Sequence, residues 1–383
     1  MQKDGDEVMS VDDWDTRLNQ YFVDRPKAED AIQKWLDSSS NKCILSVVAP
    51  PGNGKTWLLR RLYQQWGAPK NRLALWLNAP LLIRREETQD ANQMIDTQAF
   101  NQWFQGVKDQ AARHCDSLQS IGILPDFAAQ VGALVKMVCN CSLDHSPVLI
   151  VDGYDEITEK QAETLNLRIL QPFLAPSCTR LILAHRVEWK VQGLLSYRRE
   201  VFFLSEKDPL SSDFAKEQFQ TFFAGTHPGA KAPNPEDWMG KLQHYCWNHP
   251  FINHFLFERG LEGGAADLRP LTPQDFYDCC QAVIARPDVP GGPRYARLTE
   301  DEFNVLYQLA KNLPESWTEV KCTELLKISS MIMDSRLMRL FDAGVIANLP
   351  STQANLPSSL YQVNNGIRGL LNEISDLSAI AFS

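Results

Sequence analysis

The chain has 383 residues, 44% of them hydrophobic and 22% charged, with a formal net charge of −9. That length exceeds what one hydrophobic core usually organises, and the composition is that of an ordinary globular protein, neither disordered nor fibrous. An acidic chain does not attract nucleic acid or anionic lipid through its overall field. No apolar run approaches the roughly 18 residues needed to span a bilayer, and the N-terminal stretch has no secretory pattern. The 9 cysteines lie scattered without CxxC spacing, which predicts reduced thiols in a cytoplasmic protein and no structural metal.

Residues 1–20 form a short acidic, polar segment. From 21 to 210 short β-rich runs alternate with longer helical stretches, the pattern of a parallel sheet with helices on both faces. Strands are predicted at 43–48, 73–77, 148–151, 180–184 and 200–204, and four of these are near-continuous apolar runs, as strands buried on both faces must be. Helical spacing occupies 89–143, at Phe100, Phe104 and Val107 and again at Val131, Leu134, Val135 and Val138.

Beyond 211 the pattern is helical. A helix capped by Ser211 or Ser212 carries Phe214, Phe219, Phe222 and Phe223 on one side, a core stripe. Helices at 238–245, 250–261 and 273–284 complete a helical domain at 211–290, with a breaker-rich linker at 286–293. The last domain, 291–383, has helical patterns at 300–312, 320–327 and 330–343, then extended runs at 345–347 and 360–363. Three helices followed by a β-ribbon read as a winged helix. His244, His249 and His254 recur every five residues, but that is not a helical repeat and Pro250 breaks the register, so no zinc site is expected there.

The strongest chemical pattern is Ala49-Pro-Pro-Gly-Asn-Gly-Lys-Thr56, set between an apolar strand and a helix. Glycines at Gly52 and Gly54 let the backbone curl round a phosphate, and a helix N-terminus favours negative charge. Lys55 reaches the β- and γ-phosphates and Thr56 can ligate Mg²⁺. Ala49 occupies the first glycine position of the pattern G-x-x-x-x-G-K-[ST], a turn entry that a small residue can fill. Pro51, Gly52, Asn53, Gly54, Lys55, Thr56 and Trp57 are the expected nucleotide contacts on this loop.

A second pattern, Val148-Leu-Ile-Val-Asp-Gly-Tyr-Asp-Glu156, is a hydrophobic strand ending in carboxylates. Ligands of parallel α/β sheets bind at the carboxyl ends of strands. Asp152 is therefore expected to hold Mg²⁺ with Thr56, and either Asp155 or Glu156 to orient or deprotonate an attacking water. Arg186, at the end of the next strand, is placed to touch the γ-phosphate, with His185 before it either in the core or behind the site and not in catalysis.

In this order the motifs resemble the STAND class of P-loop ATPases, with its NACHT, NB-ARC and MalT-like members. The alanine-led loop looks like that of MalT-like proteins, and Asp152-Gly-Tyr-Asp-Glu156 is similar to the NACHT D-G-x-D-E signature. The resemblance implies that Val23 and Arg25, in Phe22-Val-Asp-Arg25, lie against adenine. It implies that Pro250, in Trp247-Asn-His-Pro250, contacts the base, with Asn248 in place of the family's glycine. It also puts Asn364 where the family's histidine meets the ADP β-phosphate; an amide there donates a hydrogen bond but no charge, a weaker ADP lock.

The function so implied is an ATP/ADP-dependent signalling switch that hydrolyses slowly, compact with ADP and assembling into a homo-oligomer with ATP. Members of the class usually carry an effector domain before this core and a repeat sensor after it. The resemblance therefore implies effector or sensor partners on other chains, or a longer chain of which this is a piece. The alternatives are an AAA+-type remodelling or DNA-loading ATPase, and a nucleotide-binding scaffold without turnover. Arg336 and Arg339 in the middle of the winged helix are offset by Asp334 and Asp342, so DNA is not the expected partner, nor is a membrane.

Overall fold

Every residue of β1 (Ile44–Val48) and β3 (Val148–Asp152) is buried, so neither strand can lie at an open face. The computed structural model describes residues 25–38, 42–49, 52–66, 72–83, 94–114, 126–141, 145–176, 178–185, 198–204, 212–232, 249–262, 269–285, 297–327, 330–343, 345–349 and 360–382. In it β1, β2 (Ala74–Asn78), β3, β4 (Arg180–His185) and β5 (Arg199–Phe203) pair in parallel, in the order β2-β3-β4-β1-β5. All five expected strands are present to within a residue or two. The two edge strands differ: β5 has no buried residue, while β2 is partly exposed only at Trp76 and Asn78.

Helices α1 (Pro26–Asp37), α2 (Lys55–Trp66), α3 (Ala79–Leu82), α4 (Thr97–His114), α5 (Phe127–Asn140), α6 (Glu159–Leu165) and α7 (Gln171–Leu174) alternate with these strands. Phe100, Phe104 and Val107 of α4 and Val131, Leu134 and Val138 of α5 share one core with Leu75, Leu77, Leu149 and Val151 of the sheet. Each such side chain withdrawn from water contributes roughly 1.5–3 kcal/mol. Asp126 caps α5 by accepting the Ala129 N–H at 2.8 Å, and Thr158 with Gln161 forms a capping box on α6. Between α6 and α7 the helix makes one π-helical turn, Asn166–Leu170.

One expectation is corrected here. Cys139 near the end of α5 and Cys178 before β4 form a disulfide across a separation of 39 residues, so the thiols are not all reduced. Packing of α5 and β4 in the same unit brings them together, and no local spacing reports that. Cys43, Cys141, Cys279, Cys280 and Cys322 are buried thiols outside that disulfide. Burial pushes the Cys280 thiol up to about 12, and burial with the nearby Glu319 does the same at Cys322, so neither is a ready nucleophile.

The chain divides into two compact units, 24–49 with 55–204, and 50–54 with 205–383. The second unit contains α8 (Ser212–Thr226), α9 (Pro250–Leu261), α10 (Pro273–Ala285) and α11 (Glu300–Asn312). It continues with β6 (Trp317–Thr318), α12 (Glu319–Leu326), α13 (Ser330–Asp342), β7 (Ile346–Leu349), β8 (Leu360–Val363) and α14 (Asn365–Glu373). Strand β8 lies between β6 and β7, antiparallel to both, so the expected ribbon gains a third, two-residue strand. Phe219 and Phe223 of α8 join Phe257, Phe303, Trp317, Leu340, Val363 and Leu370 in a single core. The helix expected at 238–245 and the linker at 286–293 lie outside the described residues, as does the segment 1–20. No helix among the described residues is long and apolar enough to cross a membrane.

A buried carboxylate ties down the start of α10. Asp275 receives Arg269 on both oxygens, at 2.7 and 2.8 Å, and the Thr272 N–H and hydroxyl at 2.7 and 2.8 Å. Burial alone would raise its pKa; the Arg269 and Thr272 hydrogen bonds outweigh it together and hold the carboxyl at about 2, below the usual 3.8. A depressed carboxyl stabilises the fold above its unfolded pKa and loses that contribution as pH falls through its folded one. Asp275→Asn should therefore lower unfolding free energy by about 2 kcal/mol at neutral pH. Urea titrations at successive pH values should show the gap between variant and parent closing between about pH 4 and pH 2.

Candidate functional site

The chain leaves β1 at Val48, and the Ala49 N–H donates to the His185 carbonyl at 3.1 Å, so the loop departs beside β4. Gly52 and Gly54 both have φ +76, a left-handed conformation that L side chains resist. Ala49 takes no positive φ, which is why alanine serves where the pattern has glycine. At Lys55 the loop becomes α2, a helix without an acidic residue in its first turn, so its positive end is not offset locally. Lys55 is buried, and its Nζ donates to the Ala49 carbonyl at 2.5 Å. The Thr56 hydroxyl donates to Asp152 Oδ1 at 3.1 Å, with both residues buried.

Asp152 stands last on β3, paired in register with Asn78 of β2. Gly153 follows with φ +68, and a Cβ there would lie 2.8 Å from Pro80 Cδ and Cγ; both the conformation and the space require glycine. The chain then makes a 3₁₀ turn, Tyr154–Glu156, closed by the Glu156 N–H on the Gly153 carbonyl at 3.0 Å. Tyr154 is fully buried, and its hydroxyl donates to Asn166 Oδ1 at 2.7 Å. Burial pushes the Tyr154 phenol well above its ordinary range, so it acts as a neutral donor. Asn166 opens the π-helical turn, and π turns recur where a helix has to re-aim a functional side chain. The acidic turn carrying Asp155 and Glu156 is thus pinned at its base by Pro80 and from behind by Asn166.

The expected site residues sort as follows. A hydrogen bond joins Thr56 to Asp152, while Lys55, next to Thr56 in sequence, donates to the Ala49 carbonyl; Asn53 is buried and Trp57 half-buried in the same stretch. Glu156 sits one 3₁₀ turn past Asp152, and Asp155 has its backbone in the same turn. Arg25 precedes α1, its N–H on Glu29 Oε1 at 3.1 Å. Pro250 opens α9 and its carbonyl accepts Gln218 Nε2 at 2.8 Å. Asn364 caps α14, its Oδ1 accepting the Gly366 N–H at 3.0 Å, while its Nδ2 is buried with no acceptor among the described residues. Val23, Pro51 and Arg186 lie outside the described residues.

Sequence reasoning passed over Tyr154, Asn166 and His249. The first two are joined only through the fold. His249 caps α9, its Nδ1 accepting the Ile252 N–H at 3.3 Å, and a polar residue directly before a helix-opening proline is a readable cap signal. Its place in the five-residue histidine series hid that. Chemically, left-handed glycines, a buried ammonium and a helix N-terminus suit a polyphosphate. Among the described residues no group of three or more His, Cys, Asp or Glu is placed to hold a metal. One hydroxyl beside one carboxylate suits Mg²⁺, which keeps several of its waters and takes few protein ligands.

Residues 27–184, from α1 to β4, match the family model described as nephrocystin 3, N-terminal. That stretch resembles a known protein segment and includes both the loop and the acidic turn. Among solved structures, the Aeropyrum pernix Orc1 protein in complex with DNA is 11% identical, with a TM-score of 0.41 over 97% of this chain and 96% of that one. Cdc6p from Pyrobaculum aerophilum is 12% identical, with a TM-score of 0.40 over 94% and 97%. A point mutant of Thermotoga maritima RuvB is 13% identical, with a TM-score of 0.39 over 98% and 99%. These likenesses are shallow, and the site stands on this chain's own residues. No curated protein matches the chain.

The Tyr154–Asn166 bond gives a direct check on what holds the acidic turn. Tyr154→Phe leaves the buried Asn166 oxygen without its donor and should lower stability by about 1–2 kcal/mol. Tyr154→Phe with Asn166→Ala should cost less in urea unfolding than the sum of the two single changes; strict additivity would mean that the bond contributes nothing.

Proposed function

We propose that this protein binds Mg-ATP, hydrolyses it slowly and acts as a nucleotide-dependent switch of the STAND class. The observation that carries the reading is the Thr56–Asp152 hydrogen bond beside buried Lys55, which brings the phosphate loop and the acidic strand end to one place. In this reading the loop N–H groups and Lys55 bind the β- and γ-phosphates, and Thr56 and Asp152 hold Mg²⁺. The metal supplies neutralisation of phosphate charge. Asp155 or Glu156 orients the attacking water, and Arg186 contacts the γ-phosphate. Val23, Arg25 and Pro250 contact the base, and the Asn364 amide donates to the β-phosphate.

Three divisions of the chain serve the switch: an α/β domain at 21–210, a helical domain at 211–290 and a winged helix at 291–383. ADP holds the compact form, and exchange for ATP permits homo-oligomerisation in the cytoplasm with effector or sensor proteins. A near-complete shift needs a differential affinity on the order of 5.5 kcal/mol. The antiparallel trio β6-β8-β7, interleaved in the chain with α11, α12 and α13, supports the winged-helix reading. Arg336 and Arg339 of α13 face Asp301 and Glu302 of α11 at 3.9 and 3.5 Å, and this local counter-charge favours a structural use of the module over contact with DNA phosphates.

Lys55→Ala is expected to abolish Mg-ATP binding by calorimetry; unchanged affinity would remove the loop from the reading. Size-exclusion chromatography should show assembly of an Asp155→Ala/Glu156→Ala variant with ATP and none with ADP. An unchanged size in both states would favour a scaffold, and DNA-stimulated turnover would favour a remodelling or loading ATPase. Asn364→His should slow ADP release, since an imidazolium adds charge where the amide has none.

A further inference from the structure

His249 is 2% exposed and stands immediately before α9. Because its Nδ1 accepts the Ile252 N–H, the ring is held in one orientation, and in the neutral imidazole the proton sits on Nε2. Two other edges of that ring meet glycines. A Cβ on Gly52 would lie 2.2 Å from His249 Cε1 and 3.0 Å from Nε2, and a Cβ on Gly366 would lie 3.1 Å from Cδ2. Gly52 belongs to the turn of the phosphate loop with φ +76, and Gly366 to the first turn of α14. One imidazole is therefore wedged between the loop and the start of the last helix, in a slot that exists only because both neighbours lack a side chain.

The backbone beside it reinforces the contact. The Phe251 N–H donates to the Gly52 carbonyl at 3.4 Å, a weak bond that still orients the loop's peptide. On the far side Asn364, two residues before Gly366, is itself buried, and its Nδ2 has no acceptor among the described residues. A loop whose glycine can visit many conformations is thus held in one by a rigid ring, and that ring is backed by Gly366 of α14.

We propose that His249 is a positioning residue that couples the phosphate loop to the seating of α14, holding the loop in its nucleotide-retaining form for as long as α14 stays in place. This rests on the nucleotide-binding reading above. It adds a single side chain through which occupancy of the loop and the position of the last helix constrain each other. The ring acts by shape, and the Nδ1 cap only orients it.

Release of a fluorescent ADP analogue from the full chain, chased with excess ADP, tests the proposal. His249→Asn keeps an N-cap acceptor and removes the ring; His249→Ala removes both; Gly366→Ala keeps the histidine and crowds it from the α14 side. Both His249 variants should release the analogue about tenfold faster than the parent, by equal factors, and Gly366→Ala should be faster by a smaller factor. The His249→Asn melting temperature should stay close to the parent's, because the cap is retained. Parent-like release from His249→Asn with acceleration only in His249→Ala would reduce the residue to a helix cap and overturn the proposal. Parent-like release from Gly366→Ala would overturn it independently of how the other variants fold. Failure of the parent to bind the analogue at all would instead remove the nucleotide-binding reading itself.

Discussion

A threonine hydroxyl on the first turn of one helix donates to an aspartate at the end of a strand 96 residues further along the chain. Everything assigned to this site depends on that contact. It needs the β1 loop to end at a helix start, β3 to end at the same edge, and β4 to lie between them in parallel register. A slip of one residue in β3 would turn the carboxylate to the opposite face of the sheet, because side chains alternate along a strand.

The two chemical segments are held by different means. The phosphate loop owes its shape to backbone freedom at Gly52 and Gly54 and to the Lys55 ammonium on the Ala49 carbonyl. The acidic turn owes its shape to side-chain anchors, Pro80 under Gly153 and Asn166 on Tyr154. An acidic chain can still bury a lysine at a helix N-terminus, so the local charge there differs in sign from the chain as a whole.

Much of this could be read from the residues alone. The strands were legible because runs such as Ile44–Val48 and Val148–Asp152 are buried on both faces and so nearly uniform in polarity. The shapes of the loop and the acidic turn were legible because glycines at fixed positions, Gly52, Gly54 and Gly153, mark left-handed backbone. What escaped depends on distant pairs. The Cys139–Cys178 link, the two-residue strand at Trp317 and the Tyr154–Asn166 bond have no periodic or adjacent signal. His249 had one, its place before Pro250, but the reading weighed it as a metal ligand and not as a cap.

The π-helical turn at Asn166–Leu170 has a consequence for how this region tolerates change. Such a turn houses the equivalent of one surplus residue, and each residue of a regular helix advances the azimuth by about 100°. Leu165 before it and Phe173 after it both face the core, so the turn absorbs the surplus without shifting the phase between the two halves. Deleting a single residue here would rewind the helix to ideal pitch and leave both halves facing the core, whereas a further insertion would swing everything downstream by about 100°. The segment behind the acidic turn should therefore accept the loss of one residue far more readily than the gain of one.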